Sequence, residues 1–169
     1  MLMRKPRAIV CDDDESMQRL FRHALEAFGY EVLTAGTPMT CAFYRDHLDS
    51  CPQHDRCTDI LITDNNMPNM TGLELLEIQH HGGCKLTSKN KALMTGREDP
   101  ELRKRAAVLG CHFFPKPLLI STLLAWLKEC ENRIDLSEPL AADLFLPAKK
   151  KSLQVGLNDN DVNDSTEKL

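Results

Sequence analysis

Three apolar runs in this chain end on groups that can do chemistry. RAIVC is followed by Asp12, Asp13 and Asp14, ILIT by Asp64, and KALMT ends on Thr95, while Lys116 follows CHFF by two residues. Each run reads as a buried strand, and a carboxylate at the end of one needs a partner, because burying it alone is costly. Taken singly, each Asp is most simply a turn or helix-cap residue. Together they fit another pattern. The ends of parallel strands share one edge, where open α/β proteins hold their ligands, so acids, hydroxyl and ammonium would meet in one crevice. Clustered carboxylates repel each other and favour a cation between them, and hard oxygen donors suit Mg²⁺. An Asp beside such an ion and a fixed lysine can attack phosphorus while a hydroxyl hydrogen-bonds the transferring group. The chemistry expected is formation of an aspartyl phosphate.

The elements that must position these groups alternate strictly. Strands are predicted at 7–11, 30–35, 59–63, 91–95 and 111–114. A helix over 16–28 buries Met17, Leu20, Phe21, Ala24, Leu25 and Phe28 on one face and stops at Gly29. Further helices are predicted at 37–48 behind Thr37 and Pro38, at 73–81 before Gly82 and Gly83, at 101–110 behind Asp99 and Pro100, and at 119–132. Five strands alternating with five helices predict an α/β fold with a parallel sheet. Residues 49–58, DSCPQHDRCT, look like an insertion. The main domain is expected to span 1–134 and a short C-terminal extension 135–169. In the extension Ser137 could cap a turn of helix with Leu140, Leu144 and Phe145 on one side. From Pro147 a polar tail should be flexible, with Lys149 to Lys151 a solvated charge run.

A net charge of −4 over 169 residues and a pI near 5.9 give no basic face, so protein partners are expected and nucleic acid is not. The chain has no run of eighteen apolar residues, and its N-terminus turns acidic before any long apolar segment, which predicts neither a membrane span nor secretion. Seven cysteines, an odd number scattered through predicted elements, fit a reducing cytoplasm. In the insertion, Cys51, His54 and Cys57 are soft ligands that Cys41 or the His80–His81 pair could complete into a zinc site. The spacing is no standard knuckle, and a reduced or facultatively oxidised loop is the simpler expectation.

Four stretches carry a family resemblance: the acid pair in IVCDD, the loop DNNMPNMTG, the strand-end hydroxyl in LMTG and the lysine–proline pair in FFPKP. In that order, over roughly residues 5–132, the chain resembles the receiver domain of two-component response regulators, close to the stand-alone chemotaxis type. The resemblance implies a flavodoxin-like, doubly wound sheet in the order 2-1-3-4-5. It implies that Asp64 is the phosphoacceptor, that Asp12 and Asp13 bind Mg²⁺ with Asp64, and that Asn66 adds its backbone carbonyl. Thr95 would shift toward the phosphoryl group, Lys116 would pair with it, and Phe113 would swing in response. Asn66 and Arg97 would flank the path of the hydrolytic water and tune the lifetime. The partners implied are a sensor histidine kinase or phosphotransfer protein and an unspecified downstream protein. The residues after the last helix are too few for a helix-turn-helix output domain, so output by protein contact or as a phosphorelay intermediate is expected. Phe113 lacks the hydroxyl of the commoner Tyr, and Gly96 stands where Ala is commoner. The rival reading is a haloacid dehalogenase-type phosphatase built on Asp12, Asp14 and Ser16, which leaves DNNMPNMTG unexplained. A degenerate receiver used only as a scaffold would not need every acceptor-site residue type, and all are present.

Overall fold

The structure, a computed structural model, describes residues 3–38, 41–97, 99–142 and 144. Strands β1 (Arg7–Cys11), β2 (Glu31–Ala35), β3 (Ile60–Asp64), β4 (Lys91–Thr95) and β5 (His112–Pro115) form one parallel sheet in the order β2-β1-β3-β4-β5. The helical segments are α1 (Glu15–Ala27), α2 (Ala42–Arg45), α3 (Gly72–His81), α4 (Pro100–Val108) and α5 (Ile120–Glu131). The strand order reverses between β1 and β3, which opens a crevice at the carboxyl edge of the sheet.

The continuous apolar strands are explained by burial on both faces. Ala8, Val10, Ile60, Ile62, Ala92, Met94 and Phe114 meet Phe21 and Leu25 of α1 and Leu123, Trp126 and Leu127 of α5. On the other face Ile9, Leu61 and Leu93 meet Leu73 and Leu76 of α3 and Ala106 of α4. Side chains satisfy the free amides at the helix starts. Asp14 Oδ1 accepts from Ser16 N at 2.8 Å, Thr71 and Glu74 make a reciprocal capping box, and Asp99 caps α4 with Pro100 at its first position.

Two expectations are corrected. The helix predicted over 37–48 is a single turn, Ala42–Arg45. His47 takes a left-handed backbone, φ 50°, that breaks a helix there, and Arg45 Nη1 donates to the Leu144 carbonyl at 2.6 Å. Among the described residues, four full helices and this turn stand where five helices were expected. The helical turn expected after residue 135 is also absent from its described part: Ser137 does not cap a helix but donates from N and Oγ to Asp135 Oδ1, at 2.8 and 2.6 Å. Phe145 and the tail from Pro147 lie outside the described residues, as do Met39 and Thr40.

The described part of the extension packs on the sheet domain. Ala141 and Leu144 are buried with the α3 and α4 cluster. Arginines at the amino edge of the sheet hold its backbone: Arg4 donates to the Glu138 carbonyl at 2.6 Å, Arg7 to that of Ala141 at 3.0 Å and Arg56 to that of Asp135 at 3.1 Å. Asp59 anchors these arginines. It lies just before β3 rather than inside it, fully buried, and accepts from Arg4 at 2.6 and 2.9 Å, Arg56 at 3.1 Å and the Arg7 amide at 2.9 Å. Burial pushes its carboxyl pKa up, but these donors outweigh burial and hold it below the usual value.

Candidate functional site

Strand register gathers the site. Cys11 pairs with Thr63, so the next residues, Asp12 and Asp64, emerge side by side. Asp64 pairs with Met94, which places Thr95 one step beyond, and Thr95 pairs with Pro115, which places Lys116 one step beyond again. Asp12, Asp64 and Thr95 are buried, Lys116 is half-buried and Asp13 is exposed.

One oxygen from each of Asp12, Asp13 and Asp64 lies within 4.8 Å of the others. Lys116 Nζ stands 3.1 Å from Asp12 Oδ2 and 3.0 Å from Asp64 Oδ1. Asp64 Oδ2 accepts from Asn66 N at 3.1 Å, whereas its buried Oδ1 makes no hydrogen bond of good geometry and meets only the lysine charge. Burial lifts the Asp64 pKa above its ordinary value even against Lys116. For Lys116 burial works against the charge, but its contacts with Asp64 and Asp12 prevail and raise its pKa. Three hard carboxylates with an unsatisfied buried oxygen make a donor set that fits a divalent cation such as Mg²⁺.

Thr95 Oγ1 accepts from Arg97 N at 3.1 Å, and the Thr95 carbonyl from Lys116 N at 2.8 Å, so three of the expected residues are tied together. The side chains of Asn66 and Arg97 are exposed. Phe113 packs with the α3 and α4 cluster, and the Arg103 guanidinium carbon stands 4.6 Å from its ring centroid, a cation–π contact joining β5 to α4.

Several supporting residues escape the motif reading. Asn65 N donates to the Met94 carbonyl at 2.8 Å, its own carbonyl accepts from Gly72 N at 3.1 Å, and its Oδ1 accepts from Leu73 N at 3.2 Å. It ties the strand end of Asp64 to β4 and to the start of α3. Gln18 Nε2 donates to the Asp12 carbonyl at 2.6 Å and steadies the acidic turn. A Cβ on Gly72 would sit 2.3 Å from the Asp64 carbonyl oxygen and 2.9 Å from Leu93 Cδ1, so only glycine lets α3 start against the acceptor strand. The signal for Asn65 was present in DNN, since Asn readily accepts from turn and first-turn amides.

The fold and pocket define a doubly wound α/β domain with an acid trio and a lysine at its carboxyl edge. Residues 8–128 match the family model of the response regulator receiver domain, and the chain belongs to that family. It is 29% identical over 117 residues to the two-component response regulators ARR11 of Arabidopsis thaliana and ORR26 of Oryza sativa subsp. japonica. Each match covers 69% of this chain, which spans only about a fifth of those relatives' length: 21% and 19%. The solved chemotaxis protein CheY4 of Vibrio cholerae is 26% identical with a TM-score of 0.58, over 75% of this chain and 99% of that one. The receiver domain of the Francisella response regulator 1452, 19% identical with a TM-score of 0.61 over 76% of this chain and 98% of its own, shares the fold. The phosphatase reading finds no support, and Asp14 Oδ1 is occupied in capping α1 through Ser16 N and Oγ. Among the described residues no helix is long and apolar enough to cross a membrane.

Proposed function

We propose that this chain accepts a phosphoryl group on Asp64 from a phosphohistidine of a sensor histidine kinase or phosphotransfer protein and uses it to switch a protein-binding surface. The observation that carries this reading is Lys116 held between Asp12 and Asp64, with Asp64 Oδ1 buried and lacking a hydrogen bond. Asp12, Asp13, Asp64 and the Asn66 carbonyl are the groups that would hold Mg²⁺. When bound there the ion supplies positive charge against the phosphoryl oxygens. The Asp64 carboxylate attacks phosphorus, the donor's N–P bond breaks as the O–P bond forms, and the Lys116 ammonium neutralises charge beside it.

Thr95 reads the result. Its hydroxyl oxygen accepts from Arg97 N while its proton is available to a phosphoryl oxygen, so drawing Thr95 inward pulls the loop between β4 and α4. The adjoining surface on α4 and β5 includes the Arg103 and Phe113 contact, and phosphate biases its two states only through such differential contacts. Thr95→Ala is therefore expected to accept phosphate but to lose the change in amide exchange around Phe113. An unaltered exchange response in that variant refutes the switch.

Arg97, exposed two positions beyond Thr95, can lie over the phosphoryl group and screen it from water, whereas Asn66 is too short to do so. Arg97→Ala should shorten the phosphoryl lifetime several-fold without slowing its formation, as followed by intact mass after donor removal. A lengthened lifetime rules out the shield. Output is read as protein contact or onward phosphotransfer, in a reducing, cytoplasmic setting.

A further inference from the structure

Four cysteines converge well away from the chemistry of Asp64. Cys41 flanks α2, Cys51 and Cys57 lie in the 49–58 loop, and Cys84 follows α3. All four line one cavity of about 40 Å³ between that loop and α3, and a fifth cysteine, Cys11 of β1, lies with Ile9, Leu61 and Leu75 in its lining. Gln79 of α3 lines it as well. Its side chain is 94% buried (6% exposed), its Nε2 contacts Cys41 Sγ at 3.7 Å, and its Oε1 has no hydrogen-bond partner. A buried acceptor left without a donor is costly, and this one belongs to a side chain that lines the cavity and touches Cys41, which marks the place as one that can hold something.

We propose that Cys41, Cys51, Cys57 and Cys84 form a four-thiolate site for a thiophilic metal centre, a zinc ion or an iron–sulfur cluster. Four cysteines are the ligand count both centres take. The set corrects the one read from the sequence: His54 is excluded because its side chain is 98% exposed and its Nδ1 bonds Asp55 at 3.0 Å, and Cys84 takes its place. His81 Nδ1 is engaged by the Glu77 carbonyl at 2.8 Å.

No three of the four sulfurs are mutually close: among the described residues the acid trio is the one group of three or more ligand atoms that all lie within 4.8 Å of one another. Binding therefore draws the thiols inward. The loop's path is already close, since Cys51 N donates to the Gly82 carbonyl at 2.8 Å, two residues before Cys84.

The test uses the full chain purified without oxygen and analysed for zinc, iron and acid-labile sulfide. About one centre per chain is expected; zinc alone identifies the mononuclear form, and iron with sulfide the cluster. After chelation the protein should take up Co²⁺ with the intense visible bands of tetrahedral thiolate coordination and sulfur-to-cobalt charge transfer. Cys57→Ser and Cys84→Ser should each lose these signals. Cys130→Ser should keep them, because Cys130 is buried in the α1 and α5 cluster, outside the cavity. If the serine variants fail to fold, the wild-type measurement decides alone: a metal-free chain that shows no thiolate-to-cobalt charge transfer overturns the proposal. Metal retained in a folded Cys57→Ser, Cys84→Ser double variant overturns it equally. Phosphorylation of Asp64 plays no part in these readouts.

Discussion

Replacing Asp59 with alanine is expected to destabilise the chain by roughly 3–5 kcal/mol, the loss typical when one partner of a buried ion pair is removed. Arg4 and Arg56 would keep their charges in a half-buried setting without the carboxylate that accepts from both, and the Arg7 amide would lose its acceptor. The same arginines reach the backbone of 135–138, and Arg56 also pairs with Glu138, so the described extension should loosen with the edge of the sheet. The pH dependence has a definite sign. The folded pKa of Asp59 lies below its ordinary 3.8, so its contribution is fully present above that value and is lost as pH falls through the lower folded one. Urea unfolding should therefore show a wide gap between wild type and Asp59→Ala at neutral pH that narrows in strong acid. A neutral-pH gap below about 1 kcal/mol, the scale of an exposed pair, would contradict the role given to Asp59.

Asp13→Ala should lower Mg²⁺-dependent phosphorylation by roughly a hundredfold, on the scale of losing one preorganised group at a phosphoryl site. Asp13 isolates the ligand role better than Asp12 does. Asp12 also accepts from Asp14 N at 2.9 Å and from Lys116 Nζ at 3.1 Å, so its removal disturbs the turn and the lysine together. Asp13 is exposed and makes no hydrogen bond or ion pair with any described residue, yet an oxygen of it lies within 4.8 Å of those of Asp12 and Asp64. Its neighbour gives the control. Asp14→Ala should leave the phosphorylation rate nearly unchanged and lower stability slightly, because its oxygen caps α1. Initial rates against Mg²⁺ concentration separate the two, and a pattern in which Asp14→Ala abolishes the reaction while Asp13→Ala spares it shows the acidic loop to be misread.

The carboxyl edge was legible in the sequence because strand-end chemistry is local. Asp12, Asp64, Thr95 and Lys116 each follow or close an apolar run, and a parallel sheet does the rest. Asp99 was likewise readable as a cap before Pro100, since caps act within three residues. What failed depends on distant partners. The helical pattern over 37–48 could not reveal that Arg45 is drawn to the Leu144 carbonyl, ninety-nine residues away, or that His47 adopts a left-handed backbone. Asp59 looked like the first residue of a strand, and only the convergence of Arg4 and Arg56 shows it to be the centre of a network. Cys84 was not grouped with Cys51 and Cys57 for the same reason. Arg103 sits on the exposed side of α4, and nothing in its spacing tells that it lies over Phe113.

We propose Asp64 as the phosphoacceptor. Loss of phosphate in Asp64→Asn would be uninformative if the variant unfolded, but the electrostatics predicts otherwise. Burial raises the folded pKa of Asp64, so its ionised form works against folding once pH rises above that value, and a neutral Asn should leave stability equal or greater. Lys116 keeps Asp12 as partner at 3.1 Å. The deciding measurement is intact-mass spectrometry of wild type and Asp64→Asn, matched for thermal stability, after incubation with acetyl phosphate and Mg²⁺. Wild type should gain one phosphoryl group that is acid-stable and labile to base and hydroxylamine, while Asp64→Asn, and wild type in EDTA, should gain none; an equal gain in Asp64→Asn or in EDTA would contradict the account.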